Sequence, residues 1–211
     1  MNSNGSLGEK EVVLFENFET VNFDNGDRYE GEVVDGKMHG YGIYYFANGD
    51  VYCGNFVENS ISGQGIGEFA NGDTYSGGWK DWKQHGNGTF MWKDGDVYEG
   101  DWVNGVRTGK GILVLACGDL YKGDFLDDEF HGRGIFHTKA GFKFCGEFEN
   151  GEINGRGEAR YVNGDIYIGE FKQSQRHGRG KYYASDGKIY EGIFANGNFI
   201  KEKTMYNNKK K

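Results

Sequence analysis

The residues best suited to metal binding or acid–base chemistry are four histidines that recur at one spacing. They stand 46 residues apart, at His39, His85, His131 and His177. If every 23 residues contribute two strands to a sheet, neighbouring histidines lie about 19 Å apart, since strands are spaced by about 4.8 Å. Zinc ligands must lie about 2 Å from a shared ion. The histidines therefore cannot share a metal, and we predict neither a metal site nor a cofactor.

Nucleotide-binding and catalytic motifs are incomplete in this sequence. The segment from Gly105 to Lys110 resembles a phosphate-binding loop, but it has three residues between its glycines and Gly111 follows the lysine. Such a loop needs four residues there, and then serine or threonine. No Gly-x-Gly continues to the third glycine of a dinucleotide fingerprint. Because acidic residues recur at fixed offsets instead of converging, no pair stands out as an acid–base couple. We predict no catalytic residues and no enzymatic activity.

Composition and charge narrow the class of protein further. The chain has 211 residues, with 38 glycines, no proline, 16% aromatic residues and a formal net charge of −8. Collagen requires proline, and disordered chains are poor in aromatic residues. A nucleic-acid binder usually carries the opposite charge. The apolar runs are too short for a bilayer span or a signal peptide, so we expect a cytoplasmic protein that binds no nucleic acid.

The elements that position the side chains repeat every 23 residues. Each unit begins with an aromatic residue, followed two residues later by glycine and, in most units, by a second aromatic residue after two more. A Gly-x-Gly pair comes next, and Asn-Gly or Asp-Gly closes most units. The leading residues are Tyr29, Tyr52, Tyr75, Tyr98, Tyr121, Phe144, Tyr167 and Tyr190. Seven units and a partial eighth therefore keep one period.

Each unit has the pattern of one β-hairpin. Aromatic-x-Gly-x-aromatic has period two, which places its side chains on one face of a strand, and Asn-Gly is a strong turn signal. Glycines between large rings leave room for rings to lie across the backbone. We therefore predict an all-β fold, an elongated and twisted single-sheet solenoid of antiparallel β-hairpins. We expect an N-terminal cap or partial unit at 1–23, the solenoid at 24–200 and a basic C-terminal tail at 201–211.

These motifs resemble the MORN repeat family (membrane occupation and recognition nexus). The resemblance covers roughly residues 24–200, with Phe144 in place of the leading tyrosine and Ala140-Gly141-Phe142 in place of Asn-Gly-Asp. It implies a non-enzymatic scaffold that docks a helix or peptide of a cytoskeletal, ciliary or membrane-associated partner. It also implies a place at the cytoskeleton, a cilium or flagellum, or the cell cortex. A homodimer is compatible with the unpaired strand edges at the ends of such a sheet.

Two surfaces are candidates for binding. The first is an apolar row that we name the aromatic track, expected to stack in part on itself and to leave a partly open groove. Its residues are Tyr44, Phe46, Phe69, Phe90, Trp92, Leu113, Leu115 and Phe136. The second, weaker candidate is a basic stripe at one position of four successive repeats, facing an acidic row that consists of Asp101, Asp124, Glu147 and Glu170. The stripe consists of Lys110, Arg133, Arg156 and Arg179.

Three functions remain open at this point. The sequence favours partner binding by the aromatic track, because burying one large apolar side chain stabilises a complex by about 1.5–3 kcal/mol. Exposed ion pairs contribute about 1 kcal/mol or less, and the basic stripe has acidic neighbours. A peripheral phosphoinositide- or membrane-binding module is disfavoured by the net charge of −8, because anionic leaflets attract basic segments. The third function is a regulatory subunit of a separate kinase or methyltransferase.

Overall fold

The computed structural model describes residues 17–202, which form 17 β-strands and, within that range, no helix. The strands are β1 (Phe18–Asn22), β2 (Arg28–Val34), β3 (Lys37–Tyr45), β4 (Val51–Val57), β5 (Ser60–Glu68), β6 (Thr74–Lys80), β7 (Lys83–Met91), β8 (Val97–Val103), β9 (Val106–Val114), β10 (Leu120–Leu126), β11 (Glu129–His137), β12 (Lys143–Glu149), β13 (Glu152–Arg160), β14 (Ile166–Lys172), β15 (Gln175–Tyr183), β16 (Ile189–Ala195) and β17 (Asn198–Glu202).

All the strands belong to one antiparallel sheet in which each pairs with the next along the chain. A repeat contributes a seven-residue strand, such as β8, and a nine-residue strand, such as β9. Equivalent residues therefore line up across the sheet, as where Gly100 lies opposite Gly88 on β7 and opposite Gly111 on β9. The predicted single sheet of hairpins is confirmed.

The first glycine of each Gly-x-Gly lies in a β-bulge. In the β8–β9 hairpin the register shifts between Gly100 and Asp101, and Gly109 on the facing strand has φ of 65°. That left-handed conformation is open to glycine at little steric cost. The bulge adds two residues to β9 and bends the strand. The two strands of a repeat consequently differ in length by two residues.

The second glycine makes room for the leading tyrosine ring. A Cβ built on Gly111 would lie 2.5 Å from Cε2 of Tyr98, and the Tyr98 side chain is fully buried. The Tyr98 hydroxyl donates a hydrogen bond to the carbonyl of Asp101 at 3.1 Å. The ring thus lies over Gly111 and over Gly100 on the facing strand, and its hydroxyl satisfies a backbone carbonyl beside the bulge. The predicted use of glycine to let rings lie over the backbone is confirmed.

Hydrogen bonds to the aspartates of the closing turns connect each repeat to the next. Oδ1 of Asp50 accepts a hydrogen bond from the backbone N–H of Ala70 at 2.8 Å, and the same bond recurs between Asp96 and Ala116 at 2.8 Å. Phe142 stands where this aspartate is expected, and its ring instead lies 6.5 Å from Phe136 between ring centroids. The departure in that turn replaces a polar link with an aromatic contact.

Candidate docking surfaces

The aromatic track lies on the face of the sheet that carries the buried core, which we name the aromatic face. Tyr44 and Leu113 are buried, with exposed fractions of 7% and 9%. The other members are half-buried and pack against the core; they are Phe46, Phe69, Phe90, Trp92, Leu115 and Phe136. Self-stacking accounts for much of this burial, as shown by the 4.6 Å between the ring centroids of Phe90 and Trp92. The track offers only the outer parts of its rings to solvent.

Side chains that we did not single out in the sequence cover parts of the track. Trp82, in the turn between β6 and β7, has φ of 65°, and its ring centroid lies 5.0 Å from Tyr44 and 5.8 Å from Phe46. The guanidinium of Arg107 lies 5.6 Å from the Trp92 ring. The sequence alone could have drawn attention to Trp82, because an aromatic residue is unusual at a turn position normally held by Asn, Asp or Gly.

The opposite face of the sheet carries an open groove with a volume of about 1520 Å³. It runs across the strands from β7 to β16, and the second glycines of successive repeats form part of its floor. The basic stripe lies in it, because Lys110, Arg133, Arg156 and Arg179 all line its wall. Ile112, Ile135, Ile168 and Ile193 line it as well. We name this surface the charged groove.

Three of the four isoleucines of the charged groove are exposed to solvent, and Ile112 is half-buried. The exposed fractions are 49% for Ile135, 46% for Ile168 and 40% for Ile193. Three exposed isoleucines on one concave surface form the kind of apolar patch that marks a partner site. Ile66, at the same position three repeats before Ile135, is 48% exposed but does not line the groove. The groove therefore combines apolar and basic groups only in the later repeats.

The basic stripe is only partly neutralised. The ammonium group of Lys110 forms an ion pair with Asp124 of the next repeat, and Arg156 lies 3.9 Å from Glu170. Arg133 has no ion pair with any residue in 17–202, and Arg179 faces Ile193 across the β15–β16 register. Two of the four basic side chains are therefore paired with acidic residues. Both ion pairs join successive repeats across neighbouring strands.

The acidic row has a structural role at the bulges. Oδ2 of Asp124 accepts the backbone N–H of Arg133 at 2.9 Å, and Oδ2 of Asp101 accepts that of Lys110 at 2.9 Å. Burial alone would raise the pKa of the Asp124 carboxyl, but the hydrogen bonds from Lys110 and from the Arg133 N–H outweigh it and hold that pKa below its usual value. Asp124 is thus engaged with the backbone, while the Arg133 guanidinium extends into the groove.

The remaining reactive side chains are dispersed. Within residues 17–202, no group of three or more His, Cys, Asp and Glu side chains is placed to hold a metal ion. The three cysteines are free; Cys117 and Cys145 are exposed and Cys53 is half-buried. The described part of the chain contains no helix with the length and hydropathy of a membrane span.

Among solved structures, the chain is similar to the SAS-4 (dCPAP) TCP domain in complex with a proline-rich motif of Ana2 (dSTIL) of Drosophila melanogaster. The two share 10% identity at a TM-score of 0.44, over 92% of this chain and 99% of that one. The TCP10 domain of Danio rerio CPAP in complex with a STIL peptide is similar at 18% identity and a TM-score of 0.37, over 83% of this chain and 93% of that one. Such low TM-scores do not support a transfer of function.

No sequence among the curated proteins matches the chain significantly. The family model described as MORN repeat matches seven consecutive segments, the number of complete repeats expected. They are residues 29–51, 52–74, 75–97, 98–119, 121–141, 144–166 and 167–189. The buried leading ring, the glycine pair beneath it and the bulge beside it recur in these segments as one structural unit. The chain therefore belongs to the MORN repeat family.

Proposed function

We propose that this protein is a non-enzymatic scaffold that holds a helix or extended peptide of a partner protein in its charged groove. The observation that carries the proposal is the open concavity of about 1520 Å³ lined by exposed isoleucines and arginines. A surface of this size fits a peptide segment, and mixed apolar and charged groups are typical of transient protein interfaces. The repeat architecture supports the same role, because stacked repeats provide extended concave binding surfaces.

The groove is a better docking surface than the aromatic track because the track is used by the fold. Tyr44 and Leu113 are buried, and a partner cannot reach them without displacing the core. Trp82 lies over Tyr44 and Phe46, which further reduces the free area. The isoleucines of the groove, by contrast, can lose roughly half of their surface to a partner. We therefore place the main contact on the face opposite the one that the sequence favoured.

The chemistry of the groove defines the partner segment. Exposed Ile135 and Ile168 favour apolar side chains, and Arg133 and Arg179 favour carboxylates on the same segment, since Arg binds carboxylates in a bidentate geometry. A segment with alternating apolar and acidic residues satisfies both requirements. Following the family resemblance, we propose that it belongs to a cytoskeletal, ciliary or membrane-associated protein and that the complex is cytoplasmic. Regulation of a separate kinase or methyltransferase would use the same surface.

A phosphoinositide headgroup is the competing ligand, because the Arg133 guanidinium in the groove has no ion pair within residues 17–202. Against it stand the carboxylates of Glu147, Glu170 and Glu191, which line the same groove and repel phosphate. Flotation with vesicles of phosphatidylcholine, with and without phosphatidylinositol 4,5-bisphosphate, tests this alternative. The proposal predicts no flotation at physiological salt. Flotation that depends on the phosphoinositide and on Arg133 would replace the protein partner by a lipid.

The experiment that tests the docking surface compares two double variants after native purification has recovered a partner. Arg133→Glu with Arg156→Glu changes the groove, and Phe90→Ser with Trp92→Ser changes the track. Each variant must first show the wild-type circular dichroism spectrum and melting temperature. We expect the groove variant to weaken binding at least tenfold and the track variant to retain it. The reverse result would place the partner on the aromatic track.

A further inference from the structure

A second cavity lies on the aromatic face near the C-terminal end of the sheet. Its volume is about 560 Å³, and aromatic side chains supply much of its wall. The ring centroids of Phe142 and Tyr161 are 5.7 Å apart, and those of Tyr161 and Tyr182 are 6.4 Å apart. Arg176 and Gly197 also line the cavity. The charged groove lies on the other face and shares none of these residues.

The repeat symmetry relates this cavity to the one turn of the sheet that carries an aromatic ring at the equivalent position, Trp82. Gly197 stands five 23-residue repeats after Trp82, and Tyr161 stands five repeats after Phe46. In the first repeats the Trp82 ring fills the space over Phe46, at 5.8 Å between centroids. At the later position glycine has no side chain, and the ring of Tyr161 lines an open cavity instead. Glycine also stands at the equivalent positions 36, 105 and 151, so Trp82 is the single example of a ring at this position. The cavity at Gly197 offers a place for a ring that the chain does not supply there.

A further substitution enlarges the difference between the two places. Tyr44, which contacts Trp82 at 5.0 Å between centroids, has Ala159 as its equivalent five repeats later. Two large side chains of the N-terminal repeats thus correspond to alanine and glycine. The surrounding turn remains ordered, because the Gly197 N–H donates to the Arg176 carbonyl at 3.0 Å and Arg176 Nε donates to the Gly197 carbonyl at 3.0 Å.

We propose that this cavity, the ring-acceptor site, binds an aromatic side chain of a partner protein, with tryptophan as the best fit. The Trp82 ring on the equivalent surface is the direct model for the occupant. The walls suit it, because aromatic rings pack edge to face and stack on guanidinium groups. This second contact goes beyond the proposed docking in the charged groove and does not depend on it.

The charges at the site select a neutral ring over a cation. The Arg176 guanidinium lies 4.6 Å from the Tyr182 ring and 5.8 Å from the Tyr161 ring, so the aromatic faces already hold a positive charge. The neighbouring Asp165 carboxylate accepts hydrogen bonds from Tyr182, from Asn163 Nδ2 at 2.7 Å and from the Ser185 N–H at 2.7 Å. A second cation would meet repulsion from Arg176 and a carboxylate with little remaining capacity.

The test uses N-acetyl-L-tryptophanamide as the probe and the full chain in solution. Amide chemical shifts of the isotopically labelled protein should move at Gly197 and Asn163, which line the cavity, with a dissociation constant in the millimolar range, the scale for a ligand of this size. Gly197→Trp, which restores the ring present at Trp82, should weaken probe binding at least tenfold. Gly197→Ala is the matched control, since a Cβ at this position contacts nothing within 4 Å and the φ of 80° imposes the same backbone strain on both variants, and it should bind as the wild type does.

Several results would overturn the ring-acceptor site. One is the absence of shift changes at Gly197 in the wild type, which needs no variant to fold. Another is equal binding of the probe by Gly197→Trp and Gly197→Ala. Stronger binding of tetramethylammonium than of the tryptophan probe would show a cation site instead. Ile135→Asp in the charged groove should leave probe binding unchanged, so that failure of the groove proposal and failure of this one remain distinguishable.

Discussion

The hydroxyl of Tyr121 donates a hydrogen bond to the carbonyl oxygen of Asp124 at 2.8 Å. The ring that carries this hydroxyl is fully buried, so the bond connects the core of one repeat to the backbone beside its bulge. Equivalent bonds come from other leading tyrosines, such as Tyr98 to Asp101 at 3.1 Å. The sixth repeat begins with Phe144 and has no hydroxyl to offer.

The first prediction concerns this missing hydroxyl. Phe144→Tyr should add a hydrogen bond to the Glu147 carbonyl and raise the free energy of unfolding by about 1 kcal/mol, the usual net value of such a bond. Tyr121→Phe should lower it by a similar amount. Urea denaturation followed by circular dichroism measures both. A Phe144→Tyr protein no more stable than the wild type would show that the sixth repeat cannot place the hydroxyl as its neighbours do.

The second prediction separates the two kinds of glycine. Gly111→Ala should destabilise the fold by about 1–3 kcal/mol, the cost of overpacking, because the new Cβ would lie 2.5 Å from the Tyr98 ring. Gly151→Ala is the control, since its φ is 77° but a Cβ there meets nothing within 4 Å. It should cost only the backbone strain, about 1 kcal/mol. Equal losses of melting temperature would contradict the steric account.

The third prediction concerns acid stability. The hydrogen bond from Tyr182, together with that from the Ser185 N–H, lowers the pKa of Asp165 from its ordinary value of 3.8 to about 2. A carboxyl with a depressed pKa in the folded state adds stability above its unfolded pKa, and that stability is lost as the pH falls. The free energy of unfolding should therefore fall as the pH is lowered from about 4 to about 2. Asp165→Asn should make this fall smaller.

Urea unfolding of the wild type and of Asp165→Asn at several pH values in this range provides the measurement. The two proteins should differ in stability at pH 5 and converge as the pH falls. Asp186→Asn, in the next closing turn and exposed, serves as a comparison. A difference that stays constant down to the lowest pH would show that the carboxylate charge of Asp165 does not stabilise the turn.

The fourth prediction concerns alkaline unfolding. Burial raises the pKa of the Tyr75 and Tyr121 hydroxyls from 10.0 to about 12. A group that loses its proton more readily in the unfolded chain destabilises the fold as the pH rises above its unfolded pKa. Stability should be unaffected by these groups below pH 10 and should fall between about pH 10 and 12. Tyrosinate absorbance should increase together with loss of the circular dichroism signal. Ionisation of these tyrosines while the circular dichroism signal stays that of the folded protein would contradict this.

The repeat pattern was sufficient to predict the strands and which glycines sit beneath rings. Tyr98, Gly100 and Trp102 alternate with polar residues, and this period of two is a local property of the chain. The link from Asp50 to Ala70 could have been inferred from the recurrence of aspartate after each Asn-Gly, but its partner lies 20 residues away. Contacts between repeats depend on how the sheet twists, which the local pattern does not specify.

The position of the open surface was the main feature that the sequence did not reveal. The aromatic track contains the larger apolar side chains, and apolar content alone favoured it as the docking surface. In the structure these rings cover one another, and Trp82 adds a further layer over Tyr44. Ile135 and Ile168 are smaller but exposed, because the opposite face of a single sheet has no second layer to cover them. A pattern of residue types identifies faces but not how completely each face covers itself.

The measurement that tests docking in the charged groove most directly compares two isoleucines at one position of the repeat. Ile135 lines the charged groove and Ile66 does not, while their exposed fractions are 49% and 48%. Titration calorimetry of Ile135→Asp and Ile66→Asp with the recovered partner should show binding weakened at least tenfold by the first change and unaltered by the second. Equal affinities for the two folded variants would contradict docking in the charged groove.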